Sequence, residues 1–289
     1  MAGDFEAQVR ATNDAINART GRPLFFAIVV GLLLGLALLF SLVVVKAFYM
    51  AFAAALVAFT SYELATALRS AGRDVPRIPT VLAGVAMVPA TFTWTATGHW
   101  VSFLLAVVVV SLWRLVETAR SRVPARELWL DLGAGVFILG YVAFLGGFTV
   151  LLTAQPGGQW WTLAFLIVVV SVDVGAYASG LAFGRHPMAP KISPKKTWEG
   201  FAGSAAAALV AGVLTGVFML GQPWWVGLIL GAVIVATATS GDLAESLIKR
   251  DLGVKDISSF LPGHGGFLDR VDSSLLSGAA AYVLFLLFA

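Results

Sequence analysis

The chain has 289 residues, of which 59% are hydrophobic and only 12% charged, with 19 basic and 16 acidic residues giving a net charge of +3. A soluble domain carries roughly 25% charged residues, so a soluble globular protein is excluded. The absence of cysteine excludes a disulfide framework and thiolate metal sites.

Residues 1–22 are polar and of mixed charge (Asp4, Glu6, Arg10, Asp14, Arg19, Arg22) and read as a cytoplasmic segment, disordered or lying on the surface. The apolar run that follows is longer than the 7–15-residue core of a signal peptide, so it reads as a retained first span. Residues 23–289 then form a single transmembrane domain. A span needs about 20 apolar residues, and nine candidates follow in order: Leu24–Phe40, Phe48–Leu68, Ile78–Ala96, Trp100–Val116, Leu128–Leu152, Trp160–Phe183, Phe201–Leu220, Trp224–Leu243 and Val271–Phe288. The expected fold is all-α, a polytopic helical membrane protein. The roughly ten-residue alternating segments of an outer-membrane barrel are not seen. Tryptophans at several span ends (Trp100, Trp129, Trp160, Trp161, Trp224, Trp225) suit the membrane interface.

Basic residues test this reading. With the N-terminus inside, 18 of the 19 lysines and arginines fall on the inner side and only Lys46 lies outside. Positive charge resists translocation, so this asymmetry sets the orientation. The outer loops, around Thr97–His99, Ala154–Gln159 and Gly221–Pro223, are short and nearly uncharged. A charged substrate is therefore expected at the inner face of the cell membrane, with the active site in about residues 171–272. No nucleic-acid partner is expected.

Two charged constellations lie there. The first runs from Asp173 to Glu199. Asp173 sits inside an apolar run, and a carboxylate at that depth is costly unless it has a use. Its small neighbours Gly175, Ala176, Ser179 and Gly180 also allow a packing role against another helix. Downstream, three prolines stiffen a loop holding Lys191, Lys195 and Lys196. These lysines suit a polyphosphate, although inside loops are basic in any case. Ser193–Glu199 resembles a helix start, with Thr197 as the cap.

The second constellation begins at Asp242. Asp242, Glu245, Ser246 and Lys249 follow i, i+3, i+4, i+7 spacing and share one face of a helix. A loop with Gly253, Ser258 and Ser259 leads to Pro262-Gly263-His264-Gly265-Gly266. Its glycines permit close backbone approach to an anion. Asp269, Arg270 and Asp272 open the last span. Aspartates suit magnesium and guanidinium and ammonium groups suit phosphate, so phosphoryl or nucleotidyl chemistry at a membrane face is expected. Helix capping by Asp269 and Asp272 would account for two of these residues, but not for the glycines, the histidine and the flanking cations together.

Ser246–Asp272 resembles the signature of the phosphatidate cytidylyltransferases, also called CDP-diacylglycerol synthases. The pattern reads Ser246, Lys249, Arg250, Lys255, Asp256, Pro262, His264, Gly265, Gly266, Asp269, Arg270 and Asp272. The Asp173 stretch and Ser193–Gly200 are similar to that family too. The resemblance covers about the last 120 residues; the first half matches only as apolar spans. It implies conversion of CTP and phosphatidic acid to CDP-diacylglycerol and pyrophosphate by a homodimeric enzyme that uses magnesium, with potassium as a second cation. On this basis Asp242 and Asp269 are the expected metal ligands, with Asp173 supporting the metal or the cytidine. Lys249, Arg250, Lys255, His264 and Arg270 are the expected catalytic residues. Ser193, Lys195, Lys196, Thr197, Ser246, Gly265 and Gly266 would bind substrate.

Other membrane functions fit less well. CDP-alcohol phosphotransferases need a D-G-x-x-A-R run that Asp242–Glu245 does not provide. Membrane prenyltransferases need two aspartate-rich helices. A transporter of an anionic solute would place charge near the midplane and often carry inverted repeats; here the charges gather at one face.

Overall fold

A computed structural model describes residues 24–121, 124–254, 256–258, 260 and 265–289. The N-terminal segment 1–22, Lys255 and His264 lie outside the described residues. Eight helices follow in order: α1 (Leu24–Val43), α2 (Lys46–Ser70), α3 (Arg77–Ser121), α4 (Ala125–Ala154), α5 (Gly158–Phe183), α6 (Trp198–Phe218), α7 (Trp224–Asp251) and α8 (Leu268–Phe288). Seven of them, α2 to α8, are long and apolar enough to cross a membrane. The all-α membrane architecture expected from composition is what the chain adopts.

α3 differs from the expected pair of spans joined by an outside loop at Thr97–His99. A straight helix would put Arg77 and Arg114 about 55 Å apart. Instead the Arg114 guanidinium lies 2.9 Å from Asp74, just before the helix begins. The reversal is made at one residue, Thr95 (φ 50°, ψ −132°), in a region that costs a threonine strain. Thr97–His99 already belong to the returning limb. A side chain on Gly98 would run into the Ala90 carbonyl, so only glycine lets the limbs close at the tip. His99 is buried there, its Nδ1 3.2 Å from the Thr91 hydroxyl and its ring stacked 4.5 Å from Phe144. It is a packing residue of the hairpin.

At the opposite end of the hairpin, Arg114 is 4% exposed and clamps three acids: Asp74, Asp131 at 2.7 Å and Glu117 at 3.5 Å. Asp131 on α4 also accepts the Asp74 backbone N–H at 2.9 Å. This buried network ties the α2–α3 turn, the returning limb and α4 together on the basic face. On the other face, Lys46 Nζ donates to the Gln155 carbonyl at 3.0 Å, capping the end of α4.

In lipid, helices associate by close packing rather than by water exclusion. Gly212 and Gly216 on α6 face Gly227 and Gly231 on α7, backbone against backbone. Around this seam Phe165 and Val168 (α5), Ala208 (α6), Leu230 and Ile234 (α7) and Ala281 and Leu284 (α8) form one core. A second core joins Leu42, Tyr49, Val57, Met87, Val110 and Leu139 of α1 to α4. A third, including Leu64, Ile138, Ile257, Leu268 and Leu275, connects the two halves beside the charged constellations.

Within α4, Leu139–Phe144 is a π-helical segment. Such segments insert an extra residue per turn and often accompany functional sites. Between α5 and α6, where a stiff loop was expected, the chain forms a two-stranded antiparallel hairpin, β1 (Pro187–Ala189) and β2 (Ser193–Thr197). Its closure comes from outside the short strands. Glu199 accepts the backbone N–H groups of Arg185 and His186 at 3.1 and 3.2 Å and pairs with the His186 ring. Thr197 caps α6, accepting the Gly200 N–H at 3.1 Å, as its position before the apolar run suggested.

Candidate active site

The charged constellations meet at the basic ends of α5, α7 and α8, with the β hairpin covering them. α7 continues as a helix to Asp251, past the apolar run, so Asp242, Glu245, Ser246 and Lys249 do share a face. What brings α8 against that face is Gly241. A side chain there would collide with the Asp272 carbonyl, so only glycine permits the contact. The backbones of α7 and α8 touch at the level of Asp242 and Asp272.

The consequence is a group of three carboxylates. Oxygens of Asp242, Glu245 and Asp272 all lie within 4.8 Å of one another. Glu245 and Asp272 are buried, at 1% and 8% exposure. One Glu245 oxygen, Oε1, has no hydrogen-bond partner among the described residues. Buried carboxylate oxygens left unsatisfied are costly, and a divalent cation would satisfy this one. The Tyr141 hydroxyl, on the π-helical turn of α4, is likewise buried and unpaired. It lies within electrostatic reach of the same three acids.

Asp269, expected as a metal ligand beside Asp242, lies outside this group of three and adjoins it at Glu245. It faces Lys249 Nζ at 3.0 Å and accepts the Gly266 N–H at 2.8 Å. Lys249 also contacts Glu245 at 2.6 Å, so it bridges the acidic group and Asp269. Its charge, expected on substrate phosphate, is here spent on carboxylates. Gly265 has φ +83°, and a side chain would come 2.7 Å from Asp269 Oδ2. The Gly265–Gly266 turn therefore orients Asp269, and the Gly266 N–H is committed to it rather than open to an anion.

A cavity of about 200 Å³ opens beside the acids, lined by Asp173, Tyr177, Lys195, Lys196, Thr197 and Asp242 among others. Lys196 reaches across from β2 to pair with Asp242 at 2.5 Å. Ser246 Oγ points at the other Asp242 oxygen from 3.5 Å. Arg270 is within electrostatic reach of Asp173. Ser193 sits further out, paired with Ala189 in the hairpin. Arg250 donates to the Ile192 carbonyl at 3.1 Å and holds the hairpin tip.

Two site residues, Tyr141 and Glu63, lie outside the sequence motifs. Glu63 on α2 is 3% exposed. It accepts the Ser258 hydroxyl at 2.5 Å and the Leu268 N–H at 3.1 Å. Gly266 packs so closely that a side chain there would meet Glu63 Oε2 at 2.9 Å. Glu63 thus anchors both ends of the segment that presents Asp269. The rule that singled out Asp173, an acid within an apolar span, applies equally to Glu63.

Residues 26–288 match the profile of the cytidylyltransferase family. The chain belongs to the cytidylyltransferase family. It is therefore a nucleotidyltransferase. Curated proteins similar to it include the phosphatidate cytidylyltransferase of Mycobacterium bovis, 40% identical over 274 residues, covering 92% of this chain and 90% of the relative. That of Mycobacterium leprae is 39% identical over 276 residues, covering 92% and 88%. That of Brucella suis is 40% identical over 157 residues, covering 54% and 57%. The match to the family profile takes in the first-half helices as well as the motif-bearing last 120 residues, and so includes Glu63.

The contact at Gly241 gives a direct check on the acidic group. Gly241→Ala must push α7 from α8 by a fraction of an ångström or more. Misplacement of reacting groups by about 1 Å can cost about 100-fold in rate. A loss of that order is expected in turnover, with membrane insertion and thermal stability close to the parent protein.

Proposed function

We propose that the chain is a phosphatidate cytidylyltransferase, joining the phosphate of phosphatidic acid to the cytidylyl group of CTP at the inner membrane face. The observation that carries this reading is the meeting of Asp242, Glu245 and Asp272 from two helices with Lys196 and Asp173 across one small cavity on the basic side. The relatives named for that reaction support it.

The chemistry matches the residues. An oxygen of the phosphatidic acid phosphate attacks the α-phosphorus of CTP, and the bond from that phosphorus to the bridging oxygen of the β-phosphate breaks. CDP-diacylglycerol and pyrophosphate result. The nucleophile is already anionic near neutral pH, so no strong general base is required. The obstacle is repulsion between two anions, and positioning with charge neutralisation overcomes it. Lys195, and Lys196 once a cation relieves it of Asp242, would neutralise substrate phosphates from a hairpin held by Glu199 and Arg250. Arg270 is a further cation within electrostatic reach of Asp173. Lys249 holds Asp269 and Glu245 in position.

Asp242, Glu245 and Asp272 are the residues we propose for magnesium. Its charge would draw CTP phosphates and the attacking oxygen into the same site. The orphaned Glu245 oxygen fits such a role. A potassium ion as second cation rests on the family resemblance. The orientation with the site toward the cytoplasm rests on the basic residues, 18 of 19 on this side by the sequence reading. A homodimer rests on the family resemblance.

The test is nucleotide and lipid dependence. Purified protein in detergent is expected to release pyrophosphate from CTP with magnesium only when phosphatidic acid is added, in equal amount to the CDP-lipid formed. Pyrophosphate release without lipid, or solute flux across sealed vesicles without CTP, would overturn the assignment.

A further inference from the structure

The two limbs of α3 enclose a second, much larger cavity of about 1160 Å³, walled by Leu82, Val101, Leu105 and Val109, with Ala86 and Ala106 among its smaller lining groups. Trp94 lines it near the hairpin tip, and Arg69, Arg77 and the carboxylate Glu117 line it at the basic end. None of its lining residues belongs to the acidic group or to the cavity beside it. We propose that this cleft binds one membrane lipid bearing two hydrocarbon chains and an anionic phosphate headgroup, at a site separate from the catalytic one.

Two observations favour that occupant. First, the polarity is one-ended. The walls are apolar along the limb, and the guanidinium groups sit where a headgroup of the inner leaflet would lie. Second, Arg77 is available for phosphate. Asp74 engages Arg69 at 2.9 Å and Arg114 at 2.9 Å, and Glu117 lies 3.5 Å from Arg114. Arg77 makes no ion pair among the described residues and stands over the Tyr62 ring at 5.7 Å. A guanidinium over a ring keeps N–H groups to offer a phosphate.

This inference does not depend on the proposed reaction. Phosphatidic acid and an anionic phosphodiester lipid such as phosphatidylglycerol share the required chemistry, and zwitterionic phosphatidylcholine does not. Native mass spectrometry of the full chain in detergent, titrated with each lipid, separates them. One phosphatidylglycerol per chain is expected to be retained and phosphatidylcholine lost. Arg77→Gln is expected to weaken retention about tenfold. Ala86→Trp, which fills the cleft, is expected to abolish it, and Asp242→Asn to leave it intact. Equal retention of both lipids, or unchanged retention in Arg77→Gln, overturns the proposal. Because the chain has no cysteine, Leu105→Cys supplies a single label. Its crosslinking between two copies in vesicles would show a protein neighbour in place of the lipid and would also overturn it. Phosphatidic acid retained by Asp242→Asn but not by Arg77→Gln would assign binding to this cleft, whatever the fate of the catalytic reading.

Discussion

Asp242→Asn is expected to lower cytidylyl transfer by at least about 10³-fold while the protein still inserts and unfolds at nearly the parent temperature. Asp242 is where the site's elements converge. It shares the acidic group with Glu245 and Asp272, pairs with Lys196 from the hairpin, and receives the Ser246 hydroxyl. The amide keeps the shape but removes the negative charge, so Lys196 loses its ion pair and any divalent cation loses one anionic ligand. Removing a single preorganised electrostatic group typically costs 10²–10³-fold in turnover, and the loss of a metal ligand adds to that. The measurement is pyrophosphate release at saturating CTP across a magnesium titration, alongside calorimetric or spectroscopic magnesium binding. Asp269→Asn is the informative companion. In the arrangement seen here it should keep magnesium binding and lose rate through release of Lys249. Full activity in Asp242→Asn, or loss of magnesium binding in Asp269→Asn but not in Asp242→Asn, would mean that the acids are grouped wrongly.

Glu63→Ala is expected to lower kcat about 100-fold with little change in KM for CTP, although Glu63 is not placed to touch substrate. Its carboxylate fixes the Ser258 hydroxyl and the Leu268 N–H, at either end of the segment that carries Gly265 and Gly266 into Asp269. Alanine leaves both donors without their buried acceptor, at about 1–3 kcal/mol each. It also removes a negative charge from the N-terminus of α8, which favours one. The segment then loosens, and Asp269 no longer holds Lys249 in register with Glu245. Glu63→Gln separates position from charge. The Gln oxygen can accept the Leu268 N–H while its amide donates to Ser258, so most of the rate should return. An alanine variant with parent-like kcat would rule out the positioning role. A glutamine variant as slow as alanine would shift it from geometry to charge.

The first half of the molecule therefore contributes more than apolar spans. Two of its groups reach the site region, Glu63 from α2 and the Tyr141 hydroxyl from α4, while the Arg114–Asp131–Asp74 clamp holds α2, α3 and α4 together. Glu63 was visible as an acid within an apolar run. Tyr141 was not, because a single tyrosine in a span is ordinary and its significance comes from the π-helical turn that carries it. The hairpin in α3 was read as two spans and a loop. Hydropathy sees the reversal only as a dip in apolarity, and the one-residue turn at Thr95 depends on packing of Gly98 against Ala90.

Composition by itself determined the helical membrane architecture, and charge placement supplied the expectations of basic loops on one side and of phosphate chemistry at residues 173–272. Those properties are local. Apolar length, i, i+3, i+4 spacing and positive charge beside a span act within one segment and survive any arrangement of its neighbours. Which carboxylates meet is not local. Asp269 and Asp272 are three residues apart on one helix face, and spacing alone does not choose between them. The choice is made by backbone contact of Gly241 with the Asp272 carbonyl, which delivers Asp272 to Asp242 and Glu245, and by Lys249, which captures Asp269. Interhelical distance in lipid is decided by such close small-residue contacts, and they exist only once the helices have packed.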